Sequence, residues 1–178
     1  MHAETNSSHW VFGYGSLIWR PGFAYASRHK ALLRGAHRSL CVYSHHYRGT
    51  PQNPGLVFGL VRGGSCRGMA FRVEPENWLD VRTYLLEREQ ISGVYHEAIR
   101  PIQLSTGERV EALTFLVDEA HDQYAGRLDM KQQFECVQHA SGHMGPNVDY
   151  VVNTARHLKE MNIGDGHLEE LSRRLLSD

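Results

Sequence analysis

Trp78, Val81 and Leu85 fall at i, i+3 and i+7, the spacing of one apolar helix stripe. At about 100° per residue Glu89 lands on that stripe, while Glu87 points to the opposite side and Asp80 lies well off it. A carboxylate aimed at a core costs free energy unless it is paired or neutral, and burial raises its pKa. Both are traits of a general base or acid. The same spacing also fits a helix that has ended by position 89 and releases Glu89 to water.

A second candidate opens the chain. The stretch WVFGYGSLIW places Gly13, Gly15 and Ser16 directly after a strand-like start. Two glycines let a backbone approach a ligand and turn its N–H groups inward, which suits a carboxylate, a phosphate or an oxyanion. The dinucleotide fingerprint fails, because Ile18 stands where a third glycine is needed. A phosphate-binding P-loop fails because no Gly-Lys-Ser/Thr follows. A glycine-lined tight turn in a barrel fits equally well.

Other constellations carry less. Gly63-Gly64-Ser65-Cys66-Arg67 resembles a serine nucleophile elbow but ends in Arg67, and a turn is expected there. His139 and His143 are four apart, yet Gly142 interrupts them, and the twelve histidines are scattered, so no metal site is expected. His45-His46-Tyr47-Arg48 is either a substrate-facing loop or a solvated loop before Pro51. Cys41 reads as a core residue, and Tyr95 and Tyr150 each read by default as core aromatics with satisfied hydroxyls.

The elements that must position these groups fall in two halves, strands first and helices second. Trp10 to Ile18 is a short apolar run, and Ser39 to Tyr43 reads as a strand. Leu56 to Arg62 and Arg67 to Val73 flank Gly63-Gly64, a hairpin signal; Tyr95 to Leu104 and Arg109 to Asp118 flank a second turn. About six strands joined by short turns predict an antiparallel sheet that curls or closes. Pro75 opens the helix that leads to Glu89. Asp129 with Gln132 forms a capping-box pattern, Asn147 is placed to cap the helix holding Tyr150, and Asp165 to cap the last helix.

Length and composition bound the reading. The 178 residues suit one core-forming domain, with 41% hydrophobic and 22% charged residues. Nineteen basic residues against twenty acidic ones argue against a nucleic-acid binder. No apolar run approaches the roughly 20 residues of a membrane span. Residues 1–9 read as a mobile tail before a single domain over 10–178. Three cysteines without a CxxC pair favour a reducing cytoplasm.

Taken together, VFGYGSLIW at 11–19, HYRGTPQNPG at 46–55, YLLEREQISGVY at 84–95 and NVDYVVNTA at 147–155 resemble the ChaC-type gamma-glutamylcyclotransferases. The resemblance implies an α+β fold, a small mixed, largely antiparallel β-barrel flanked by helices. It implies cleavage of glutathione to 5-oxoproline and Cys-Gly in the cytoplasm, with no cofactor and no metal. It places the catalytic glutamate at Glu89 and the substrate loop at Val11, Phe12, Gly13, Tyr14, Gly15, Ser16 and Leu17. Tyr95, Tyr150 and Arg48 match further family positions on the substrate side. Two alternatives fit the same residues: a cyclotransferase for other gamma-glutamyl amines or dipeptides, and a non-catalytic module that binds a small anion. Nothing in the sequence fixes the oligomeric state.

Overall fold

A computed structural model describes residues 8–90 and 92–177. Strand β1 spans His9–Gly13, β2 Ser27–Ser44, β3 Gly55–Val73, β4 Tyr95–Leu104 and β5 Arg109–Val117. They close into a barrel in the order β1-β3-β2-β4-β5. Every pairing is antiparallel except the closing one, where Val11 of β1 lies parallel to Leu113 of β5. Four helices follow the chain: α1 Pro75–Gln90, α2 Met130–Val137, α3 Asn147–Glu160 and α4 Gly166–Ser177. Two two-residue strands, β6 Ser141–Gly142 and β7 Gly145–Pro146, pair just before α3. The expected tail falls at residues 1–7 outside the described residues, and its last residue, His9, belongs to β1.

The strand count differs from expectation because two predicted strands are one. Gly63-Gly64 does not reverse the chain. Both glycines adopt positive φ, 100° and 71°, inside the 19-residue β3. Opposite them in the 18-residue β2, Gly35 has φ 92°, and the pairing register shifts between Arg34 and Ala36. Glycines facing one another let both strands bulge and bend together without breaking the ladder. The near-match to a nucleophile elbow is thus part of this bend.

The bend has a structural consequence. β4 pairs with β2 only at Ala31–Leu33, and β1 pairs with β3 only at Met69–Val73. The distal half of the hairpin, 36–44 with 55–62, extends past both neighbours. On the β2 edge, Tyr43 N–H donates to Gln123 O and Ala125 N–H donates to Cys41 O, both from the segment before α2. On the β3 edge the partners are side chains. Asn147 Oδ1 accepts from Leu56 N–H at 2.7 Å, and its Nδ2 donates to Leu56 O at 2.8 Å.

Asn147 therefore does not cap α3. Pro146 occupies the N-cap position, and the Asn147 amide is spent on the strand. The other two caps form as expected: Asp129 and Gln132 make a reciprocal capping box, and Asp165 Oδ1 accepts from Leu168 N–H at 3.0 Å. Asn147 is fully buried, so Asn147→Leu strands a buried N–H and a buried C=O together. We expect it to lower unfolding stability by about 2–4 kcal/mol, read from the urea midpoint at unchanged slope. A loss below about 0.5 kcal/mol would mean that water replaces the amide.

Candidate active site

Helix α1 continues through Glu89, so the carboxylate stays on the apolar stripe. Val81 and Leu85 are buried, and Trp78 stacks on His9 with ring centroids 4.5 Å apart. The chain leaves the helix by Gly93, whose φ is 70°. Glu89 keeps 18% of its side-chain surface, whereas Glu87 is exposed. Glu89 faces a cavity of about 620 Å³, a volume suited to a small ligand; Glu87, expected on the opposite side, also lines it but as an exposed side chain.

The same cavity is lined by Tyr14, Gly15, Ser16, Leu17, Arg48, Tyr95 and Tyr150. Val11, Phe12 and Gly13 do not line it. Val11 and Phe12 are barrel-core residues of β1 with 0% and 1% exposure, and Gly13 pairs with Met69. The candidate ligand loop thus begins at Tyr14, where β1 ends. Ser16–Ile18 form one turn of 3-10 helix, with Ile18 N–H donating to Gly15 O. The N–H groups of Ser16 and Leu17 have no partner within such a turn. A Cβ on Gly15 would lie 3.6 Å from the Tyr150 hydroxyl, an ordinary contact distance that places the loop directly beside that phenol.

Two tyrosines from different elements meet on one residue of β3. Tyr95 O–H donates to Phe58 O at 2.7 Å, and Phe58 N–H donates to the Tyr150 hydroxyl oxygen at 3.0 Å. These partners fix the polarity of each phenol. Phe58 O can only accept, so Tyr95 spends its proton and keeps lone pairs for the cavity. Phe58 N–H can only donate, so Tyr150 keeps its own proton to offer. Burial pushes the Tyr150 hydroxyl up to about 12, and Tyr14 and Tyr95 well above the ordinary phenol range, so all three stay protonated at neutral pH.

The family model described as ChaC-like protein matches residues 9–177. The chain belongs to the ChaC-like family. It is 32% identical over 162 residues to the glutathione-specific gamma-glutamylcyclotransferase of Escherichia coli, covering 91% of this chain and 70% of that protein. Its counterpart of the same name in Schizosaccharomyces pombe is 29% identical, with 86% and 84% covered. The crystal structure of a yeast gamma-glutamylcyclotransferase specific to glutathione superposes with a TM-score of 0.87, covering 97% of both chains at 23% identity. This last likeness establishes the fold.

Within this ChaC-like site stands Arg88, which the sequence pattern does not single out. Its Nη2 donates to Ser16 Oγ at 2.6 Å, its Nη1 reaches Arg20 O and the Tyr84 hydroxyl at 3.3 Å each, and its Nε lies 4.0 Å from Glu89 Oε1. It ties the loop to the end of α1. The one available signal was its place beside Glu89. Cys41 is buried in the barrel with its thiol pushed up to about 11 by burial, as a core residue should be. Among the described residues no group of three or more His, Cys, Asp or Glu could hold a metal ion; His139 and His143 both lie beyond the end of α2. No helix of the described residues is long and apolar enough to cross a membrane.

Desolvation pushes the Glu89 carboxyl up to about 7, with Arg88 pulling weakly the other way. In the unfolded chain this group titrates near the ordinary carboxylate value. Between that value and about 7 the folded state holds a proton that the unfolded state has released. The stability contributed by Glu89 therefore falls as pH rises through this window. Glu89→Gln removes the charge and keeps the shape. We expect its Tm to match wild type near pH 4 and to exceed it at pH 8 by about 2–8 °C. A gap that instead widens toward low pH would mean that the fold prefers the ionised carboxylate.

Proposed function

We propose that this protein is a glutathione-specific gamma-glutamylcyclotransferase, which closes the gamma-glutamyl residue to 5-oxoproline and releases Cys-Gly. The observation that carries the reading is Glu89: a carboxyl with a pKa near 7, inside a cavity that the loop and two tyrosines complete. The relatives named for this activity support it. We place the reaction in a reducing cytoplasm, which suits the three free cysteines and a thiol substrate.

The substrate brings its own nucleophile. Glu89 takes a proton from the alpha-ammonium, and the freed amine attacks the gamma-carbonyl of the same residue. An intramolecular attack gains a large effective molarity, so the protein has chiefly to fold the substrate and move protons. The N–H groups of Ser16 and Leu17, with Arg88 beside them, suit the alpha-carboxylate that shares a carbon with the amine. The free Tyr150 proton suits the oxyanion that develops on the gamma-carbonyl. The lone pairs of Tyr95 suit an N–H of the amine or of the leaving group. As the tetrahedral centre collapses, protonated Glu89 hands its proton to the departing Cys-Gly amine. Glu89, ionised again, relays the second proton of the attacking nitrogen to the Cys-Gly amine, which leaves as an ammonium. The C–N bond to cysteine breaks, the lactam keeps one N–H, and no water is consumed. A pKa near 7 lets one carboxyl serve as base and then as acid. A purely anion-binding module fits less well, because it gives the cavity's buried Glu89 carboxyl no task.

Incubating the protein with glutathione in excess EDTA, then detecting 5-oxoproline and Cys-Gly by mass, tests the reaction. Glu89→Gln should cut turnover at least about 10²–10⁴-fold with the fold intact, while Glu87→Gln stays near wild type. A larger loss in Glu87→Gln would show that the wrong carboxylate is assigned. Gly15→Val should raise KM and lower kcat more than it lowers Tm, because the branched side chain fills ligand space beside Tyr150. Unchanged kinetics in Gly15→Val would remove the loop from the site.

A further inference from the structure

Among the described residues, Arg48 is a buried cation without a counter-ion. It is 8% exposed, its Nη1 donates to Pro146 O at 3.1 Å, and its guanidinium lies over the Tyr150 ring, 5.5 Å from the centroid. Among the described residues neither Arg48 nor Arg20 forms an ion pair. Asp149, next to Tyr150 on α3, is near enough to act on Arg48 electrostatically but is not paired with it. Arg20 adds a second positive charge on the same cavity, held over the Trp19 ring at 5.7 Å, and the two arginines repel. A guanidinium withdrawn from water with no carboxylate paired to it is costly until an anion arrives, and its unused N–H groups fit a carboxylate.

The position of Arg48 selects which carboxylate. The reacting end of the substrate lies at Glu89, Arg88 and Ser16, and the Tyr150 hydroxyl borders it through Gly15. Arg48 stands on the face of the Tyr150 ring, on the loop between β2 and β3. Two further residues of extended chain reach about 7 Å beyond the scissile bond, which carries a terminal carboxylate away from Glu89. Resting on the cyclotransferase reading above, we propose that Arg48, with Arg20 at the cavity mouth, is the subsite for the C-terminal carboxylate of the leaving dipeptide. The site then selects gamma-glutamyl peptides with a free C-terminal carboxylate over gamma-glutamyl amines.

The test compares kcat/KM for glutathione and for its glycyl ethyl ester, in wild type, Arg48→Gln, Arg48→Lys and Arg20→Gln. Wild type should prefer the free acid by about 10–100-fold, the worth of a charge-assisted contact. Arg48→Gln should collapse that preference toward unity. Arg48→Lys should recover part of it, and Arg20→Gln should reduce it less. Equal use of acid and ester by wild type overturns the subsite while leaving the cyclotransferase reading intact, and does so whether or not the Arg48 variants fold. An equal loss on both compounds in a folded Arg48→Gln also overturns it, since that marks a merely structural arginine. If wild type makes 5-oxoproline from neither compound, the cyclotransferase reading falls and the subsite falls with it.

Discussion

The distal half of the β2–β3 hairpin runs past its neighbouring strands, so the N–H and C=O groups along both its edges need partners that are not strands. On the β3 edge those partners are Asn147 at Leu56, and Tyr95 with Tyr150 at Phe58. Leu56 and Phe58 are two apart, so their backbone groups face the same way. Asn147 and Tyr150 are three apart on α3, so their side chains share a helix face. Satisfying the edge thus fixes where α3 docks. It also brings two phenols, with opposite hydrogen-bond polarity, to the wall of the cavity. The groups we assign to binding are ones the fold already needs.

The carboxylate imposes the complementary demand. Glu89 is kept from water by the elements around it, and Arg88 beside it faces the loop. Desolvation pushes the Glu89 carboxyl up to about 7 against the pull of Arg88, whose own hydrogen bonds go to Ser16 Oγ, Tyr84 and the Arg20 carbonyl and whose Nε stays 4.0 Å from Glu89. A close, bidentate pairing would instead have held the carboxyl low and made it a poor base at neutral pH.

Local periodicity revealed Glu89 because its signal spans three helical turns of one element. The same logic identified the capping box at Asp129 and the cap at Asp165. It failed where a residue's role depends on distant partners. Gly63-Gly64 reads as a turn, since only Gly35 across the ladder makes it a shared bend. Asn147 reads as a cap, since the waiting strand edge is 91 residues away. Val11, Phe12 and Gly13 belong to the recognisable motif but serve the barrel, because β1 is covered on both faces. Family resemblance placed Arg48, Tyr95 and Tyr150; nothing local gave them a direction.

That separation of 91 residues also matters while the protein is being made. At ribosomal speeds of about 5–20 residues per second, the long hairpin waits on the order of 5–20 s before α3 is translated. Throughout that interval Leu56 and Phe58 present an open strand edge, the kind of template on which nascent chains pair with one another. The register shift between Leu40 and Val42, directly across from Phe58 and Val57, makes this stretch of the hairpin irregular, and so a poorer template, during those seconds.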